Sequence, residues 1–584
     1  MKDRSCTVLS RMAWSYLLSS VLDMIAVPLH ELADGVILGR LVSDDALSVI
    51  GLIAPIPILL FALKTMFVSG FAILAAKALG AGDRERASRL FTLAFVANAA
   101  VSVGLMLAAY AAAPVLLPAL CPEPDLLPSL REYARVAFVS YSVQTIISGF
   151  TAFVRVSGRP ILVSNSVIVS SVLNVVLDLV FVKGFGMGLA GGPWATIVSR
   201  LAVLVMFVPY VRSGGFAFRL VLPHGGEARA LMAEGLSVGV PNSVSGLIVT
   251  GVYLVTNRII AGLQGEVGIF AWAALLQLMN VCEMICIGFS NLCQHVGGFL
   301  IGECDYRAVR TLVGRSLLLL TALLAVVALS CSLFSETVVA AFGMNVPSMA
   351  SVAAGCLRTA VWLLVPFFIC SFVGSLLIVV GRVTLGTVYP IFSTLCLVAG
   401  AISSEVWGPE CFWRLTPLLV TAVTVALFLH VYFVHRSDAR FSALALVPAL
   451  PDCVDMCCTI NRNGLAKALG SIRAFLGLCE LGDELTRRVM LCSEELIGVF
   501  LGGLPRGESR AFFDIRIIDR DEGLTVVGKE FYSEFDAKRF DGSAEDIGLK
   551  IVTQLCEDIE YRRYNGVNIC KLNFQKKGMG VVDA

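Results

Sequence analysis

Long apolar runs alternate with short polar connections from residue 13 to residue 435. Crossing the hydrocarbon core of a bilayer takes about 20 mainly apolar residues in helical form. Runs of that length predict helices near 13–38, 47–72, 91–113, 133–155, 161–183 and 189–211. Six more are predicted near 235–258, 266–290, 312–334, 357–380, 384–403 and 413–435. The pattern is that of an all-α membrane protein with twelve transmembrane helices in two six-helix lobes. Beyond residue 450 it changes to a soluble α/β domain. Helices are expected at 466–479, 483–500 and 546–556, and strands at 511–518, 523–528, 558–564 and 567–574. Asn565-Gly566, between the last two strands, suits the type I′ turn of a tight hairpin.

Composition sharpens this division. Of the 89 Asp, Glu, Lys and Arg residues, 40 lie in the last 134 positions. That is about 30% there against about 11% before it, where a soluble domain carries roughly 25%. The first 450 residues suit lipid and the last 134 suit water, which excludes a disordered chain, a collagen-like chain and an ordinary soluble enzyme. Domains are expected at 1–222, 223–440 and 441–584. A net charge of +1 gives no reason to expect a nucleic-acid partner. The 18 cysteines fall mostly in apolar runs, where a thiol behaves as a small hydrophobe. Cys453, Cys457 and Cys458 have no second ligand pair nearby, so no metal is expected. The opening MKDRSC does not read as a cleavable signal, because the first apolar run is long and many more follow.

Connections after the even-numbered runs hold thirteen basic residues, from Lys77 and Arg84 to Arg382, against seven on the other side. Positive residues stay cytoplasmic. The reading is a multi-pass protein of a bacterial-type plasma (inner) membrane, with both termini and the C-terminal domain cytoplasmic. The halves repeat. Gly82-Asp83-Arg84 is matched with Gly302-Glu303-Cys304, an offset of 220, and Gly158-Arg159-Pro160 with Gly381-Arg382-Val383, an offset of 223. Parallel repeats of this kind belong to secondary transporters. There is no Walker A motif, so no ABC-type motor is expected in this chain.

Ionisable residues inside a span mark function by default. The first run carries Asp23, His30, Glu31 and Asp34, with Asp23, His30 and Asp34 on one helix face and Pro28 between them. The fifth carries Asn174 and Asp178, four apart, and the sixth Thr196. Lys64 lies in the second run and Glu283 in the eighth. For Glu31, Arg40 and Lys64 the competing reading is a charge that snorkels to the interface. Two carboxylates with an amide oxygen can hold a small hard cation, or one carboxylate can carry a proton.

On these residues the chain resembles the MATE (multidrug and toxic compound extrusion) transporters. The resemblance rests on Leu32 to Arg40, Ala54-Pro55-Ile56, Ala78 to Asp83, Phe153 to Pro160, Leu173 to Asp178 and Gly188 to Thr196, in order over residues 13–435. It implies two lobes about a V-shaped cavity and cation-coupled export of organic or drug-like molecules. It also implies a cation site at Asp34, Asn174, Asp178 and Thr196, taking H⁺ or Na⁺ with no other cofactor and no catalytic residue. Spans 7 and 10 lack acidic residues, so a second-lobe cation site is not expected, with Glu283 the one substitute. Secondary polar candidates are Asp23, His30, Glu31, Lys64 and Glu283.

The C-terminal stretch resembles the GHKL fold of anti-sigma factors and histidine kinases. Ser493 to Leu496, Phe535-Asp536, Asp546 to Lys550, Asp558 to Arg562 and Gly566 to Asn568 carry the likeness. The resemblance implies a nucleotide site at Glu495 and Gly548, here degenerate. Val499 stands where the family has a Mg²⁺-holding Asn, and valine cannot ligate a hard cation. The stretch Lys529 to Glu534 lacks the adenine-reading Asp-x-Gly, with Glu530 the nearest acid. ATP is therefore not expected, and a cytoplasmic protein partner is. Partners otherwise are a small-molecule substrate and membrane lipids. Three alternatives stand beside the exporter: a receptor whose lobes sense a ligand, a lipid-linked flippase, and a membrane-tethered ATPase.

Overall fold

A computed structural model describes residues 9–10, 12–23, 26, 37–38, 42, 46–53, 55–121, 124–341, 347–437, 453–459, 461–479, 481–502, 512–520, 523–531 and 547–576. The chain divides into two compact units. One spans Tyr16–Val447, and the other joins residues up to Ser15 with those from Pro448 on.

The larger unit is helical. Helix α1 covers residues 12–23, followed by α2 (Ala46–Ile53), α3 (Pro55–Ala81), α4 (Arg84–Leu120), α5 (Leu127–Val156), α6 (Pro160–Asp178) and α7 (Gly191–Arg212). The second half begins with α8 (Gly225–Leu292), two helices joined at Gly265, whose φ of 58° only glycine adopts readily. A π-helical turn, Cys293–Gly297, leads to α9 (Gly298–Gly302). Then come α10 (Tyr306–Leu333), α11 (Ser335–Ala341), α12 (Pro347–Ala360), α13 (Leu364–Val380), α14 (Val383–Trp407) and α15 (Cys411–Ser437). Among the described residues eleven helical stretches are long and apolar enough to cross a membrane, and each overlaps one of the predicted runs from 47–72 onward. The first run, 13–38, is helical over 12–23, and most of its remainder lies outside the described residues.

The repeat is visible in backbone chemistry. Helix α3 ends in a Schellman motif: Gly82 N–H bonds the Leu79 carbonyl and Asp83 N–H bonds that of Ala78. Asp83 then caps α4 by accepting from Arg86 N–H at 2.8 Å. The same device follows α9. Cys304 N–H bonds Ile301, Asp305 N–H bonds Leu300, and Asp305 caps α10 through Ala308 N–H at 3.1 Å. This corrects the register of the repeat from 220 to 222. The left-handed position held by Gly82 (φ 93°) belongs to Cys304 (φ 59°), not to Gly302. The second pair of turns keeps its offset of 223, with Gly158 (φ 88°) and Gly381 (φ 99°) both left-handed. Pro160 then opens α6, where its fixed φ suits a first helical turn and its missing N–H is not needed.

The smaller unit holds a five-stranded antiparallel sheet of order β1-β2-β3-β5-β4. The strands are β1 (Cys453–Thr459), β2 (Phe512–Arg520), β3 (Gly523–Glu530), β4 (Asp558–Tyr564) and β5 (Val567–Gln575). Helices α16 (Arg462–Leu476), α17 (Asp483–Gly502) and α18 (Ile547–Leu555) accompany it. Phe513, Ile515 and Ile517 of β2, Leu524 and Val526 of β3, and Leu572 and Phe574 of β5 share one core with Ile472, Val489, Leu496 and Val552 of the helices. Alternation at period two puts them all on one face of the sheet. Asn565 (φ 50°) and Gly566 (φ 77°) are both left-handed, as a type I′ turn requires. Strand β1 has no counterpart among the predicted strands. Its inward set, Val454, Met456 and Cys458, packs on the core, but only three residues carry the alternation, and three cysteines break its polar contrast.

Candidate functional site

Five sequence candidates fall on described helices of the first half: Asp23, Lys64, Asn174, Asp178 and Thr196. Asn174 and Asp178 lie four apart on α6, and Thr196 lies on α7. Asn174 Nδ2 donates to Thr196 Oγ1 at 3.3 Å, and that hydroxyl donates to the Gly192 carbonyl at 3.2 Å. The amide's oxygen is thus turned away from Thr196, as a carbonyl acceptor of the type that hard cations prefer. Asp178 is the last α-helical residue of α6 and is 0% exposed. Directly after it the helix widens into a π-helical turn, Leu179–Gly184. Such turns recur at functional sites, because the extra residue re-aims the side chains that flank it. Pro28, His30, Glu31 and Asp34 lie outside the described residues.

Asp23 lies elsewhere. It is buried on α1 and forms an ion pair with Arg155 near the end of α5. Around them Ser19 donates to the Pro160 carbonyl at 2.8 Å, and Ser164 to the Ser19 carbonyl at 2.9 Å. This web ties α1 to the α5–α6 turn. Asp23 Oδ1 and Arg155 Nε have no hydrogen-bond partner among the described residues, so the pair is only partly satisfied. Lys64 lies well inside α3, with its ammonium 4.5 Å from the centre of the Phe61 ring. Arg155 and Arg200 are within its electrostatic reach. Arg200, on α7, escaped the sequence reading, although a cation inside the 189–211 run is itself a signal. Glu283, on α8, has an exposed side chain near the Tyr253 phenol.

In the smaller unit, Glu495 is half-buried on α17. Val499 follows it by one turn, and Gly548 lies in α18. Phe535, Asp536 and Asp546 are outside the described residues. Glu530 ends β3, is buried, and accepts a hydrogen bond from Asn568 Nδ2 on β5. Asn568 Oδ1 in turn accepts from the Tyr561 hydroxyl at 2.7 Å. Cys458 points into the core while Cys453 and Cys457 alternate to the other face of β1, so the three thiols do not converge. Among the described residues no three His, Cys, Asp or Glu side chains are grouped to hold a metal ion.

Comparison with known proteins covers the membrane unit. The MatE family profile matches residues 20–180 and 241–402. The multidrug export protein MepA of Staphylococcus saprophyticus is 24% identical over 259 residues, 44% of this chain and 56% of that protein. MepA of Staphylococcus aureus is 22% identical over the same length and shares. The chain thus spans about half the length of the curated relatives it matches. Among solved structures, the MATE transporter VcmN of Vibrio cholerae in its bent form superposes with a TM-score of 0.67 at 18% identity, covering 74% of this chain and 99% of that one. A MOP-superfamily transporter from Pyrococcus furiosus, whose binding pocket is described as of reverse polarity, gives 0.64 at 19%, covering 74% and 98%. At these identities the likeness is one of fold.

Proposed function

The chain belongs to the MatE family, and on that footing we propose that it exports small organic or drug-like molecules by alternating access, coupled to H⁺ or Na⁺. The observation that carries this reading is the Asn174–Thr196 hydrogen bond one helical turn from the fully buried Asp178. A carboxylate in a low-dielectric setting must be protonated or offset by a cation, and neutral oxygens beside it favour the small ion. Asp34 is the residue proposed to complete the site from the first span. Occupancy shifts the transport equilibrium only as far as the ion binds one arrangement better than the other. The export named for the MepA relatives supports the substrate class.

The proposed division is 1–222, 223–440 and 441–584, with the last part a cytoplasmic regulatory module that binds a partner protein. The bias of basic residues supports that side of a plasma membrane. The bonded Glu530 carboxylate and Val499 favour a protein partner over nucleotide.

Reconstitution tests the whole. Proteoliposomes loaded with a fluorescent organic cation should release it when an H⁺ or Na⁺ gradient is imposed and retain it without one. Folded protein that releases nothing under any gradient, yet changes affinity for a cytoplasmic partner when a ligand is added, would establish the receptor reading instead.

A further inference from the structure

The two halves of the membrane unit meet in chemically different ways. On one side of the joint Ile73 of α3, Val238 of α8 and Ile378 of α13 share a buried apolar cluster. Applying the offsets fixed by the capped turns, 222 for the first two and 223 for the third, their counterparts are His295, Tyr16 and Arg155. These too come together. The Tyr16 ring, fully buried, stacks on the His295 imidazole with centroids 6.2 Å apart and planes at 29°. The Tyr16 hydroxyl donates to the Arg155 carbonyl at 2.5 Å. A purely apolar contact in one copy of the repeat is thus a titratable aromatic stack in the other.

The bonding of the ring fixes where a proton can go. His295 Nδ1 lies 2.7 Å from the Asn291 carbonyl, four residues back, within the looser ladder at the π-helical turn. A carbonyl only accepts, so Nδ1 carries the ring proton and Nε2 is the basic atom. Among the described residues, two groups bear directly on the ring. α1 presents Tyr16, and α5 presents Arg155, the charged group within electrostatic reach of the imidazole. Beside the ring, α3 sets Ala76 and the Ile73 carbonyl against Gly298, α10 sets Leu312 against Gly297 and Ser316 against Cys293, and Lys77 is within electrostatic reach of Glu234. Asp23, the acid that the described part of α1 brings to Arg155, is already paired with it.

We propose that His295 is a proton-binding site of the transport cycle, set in the joint between the halves, and that a proton on Nε2 favours the arrangement in which His295 and Tyr16 have separated. An imidazolium in the closed joint would be a second cation beside Arg155, with no carboxylate of its own among the described residues. Separation hydrates the ring and removes that conflict, so protonation and opening of this contact are thermodynamically linked. The site is distinct from the Asn174–Asp178 cluster. It rests on the alternating-access reading above, because only a joint that opens can bind a proton this way.

Hydrogen exchange of the full-length protein in nanodiscs tests it without requiring transport. Peptides covering 12–23 and 293–302 are followed at pH 6 and pH 7, corrected for intrinsic exchange chemistry. The wild type should exchange roughly threefold faster at pH 6, as expected for one imidazole that takes up its proton only when the joint is open. His295→Gln should exchange equally at both pH values. So should the double variant Tyr16→Val, His295→Ile, which copies the Val238 and Ile73 packing of the other half and so carries the test if the single variant fails to fold. A wild type insensitive to pH, or variants that keep the threefold difference, would overturn the proposal. Flux assays on the same preparations separate the two readings. Flux with pH-independent exchange sinks the His295 site alone, and pH-dependent exchange with no flux sinks the exporter alone.

Discussion

Gly80 and Gly302 each make room for the other's helix. A Cβ on Gly80 would lie 2.0 Å from the Phe299 carbonyl oxygen, and one on Gly302 would lie 2.0 Å from that of Lys77. Both members of this reciprocal pair are 222 residues apart, the offset of the repeat. Backbone cannot move aside as a side-chain tip can, so a methyl group here forces α3 and α9 apart. Gly80→Ala and Gly302→Ala should each cost about 1–3 kcal/mol by overpacking. Gly314→Ala, where a Cβ would meet nothing within 4 Å, should be harmless. Thermal unfolding in detergent distinguishes them, and equal melting of all three would refute the reciprocal packing.

The Asp23–Arg155 pair joins a buried carboxylate to a mostly covered guanidinium, with side chains 5% and 14% exposed. Removing one partner leaves a buried charge alone. Asp23→Ala should therefore destabilise the protein by about 3–5 kcal/mol, while Asp23→Leu combined with Arg155→Leu should recover most of that loss. A single variant as stable as wild type would show that the pair is held in water.

For the cluster on α6 and α7, Asp178→Asn should abolish gradient-driven export with the protein still folded. Thr196→Val removes one neutral hydrogen bond, about 0.5–1.5 kcal/mol, and so weakens cation dependence by up to roughly tenfold. Measured against cation concentration, wild-type export by Asp178→Asn would move the coupling site elsewhere.

The C-terminal core draws its buried residues from within 458–574, so a fragment from Pro448 on should fold alone. Burial pushes the Cys492 thiol up to about 12 and that of Cys556 up to about 11, from an ordinary 9.0. The direction sets the pH dependence. Below pH 9 these thiols are protonated in folded and unfolded chains alike, and stability is flat. Above it the unfolded chain loses protons that the folded one keeps, so stability falls through pH 11 to 12. Urea midpoints at pH 7, 8 and 10 should be equal for the first two and lower for the third.

The same fragment should bind Mg²⁺-ATP no tighter than about 100 μM, roughly −5.5 kcal/mol. Val499 offers no oxygen to the metal, and the Glu530 carboxylate is already bonded by Asn568. Calorimetry that finds tighter, Mg²⁺-dependent binding would restore the tethered-ATPase alternative.

The chain's hydropathy determined the membrane helices and the two-part architecture, because a bilayer imposes its requirement on each 20-residue segment separately. The candidate pair Asn174 and Asp178 was legible for a similar reason, since two polar residues four apart inside an apolar run share a face whatever surrounds them. What depended on distant chain was not legible. The repeat register came out two residues wrong because glycine identity was matched, while the backbone accepts Cys304 in the left-handed position once the cap at Asp305 holds it. Strand β1 exists because β2 pairs with it across more than fifty residues. Arg155 reads as a loop cation until α1 brings Asp23 to it. His295 reads as one more residue of an apolar run until folding sets it against Tyr16, 279 positions earlier. Local sequence fixes which segments enter the lipid, but which polar groups are paired there is decided by packing between helices far apart in the chain.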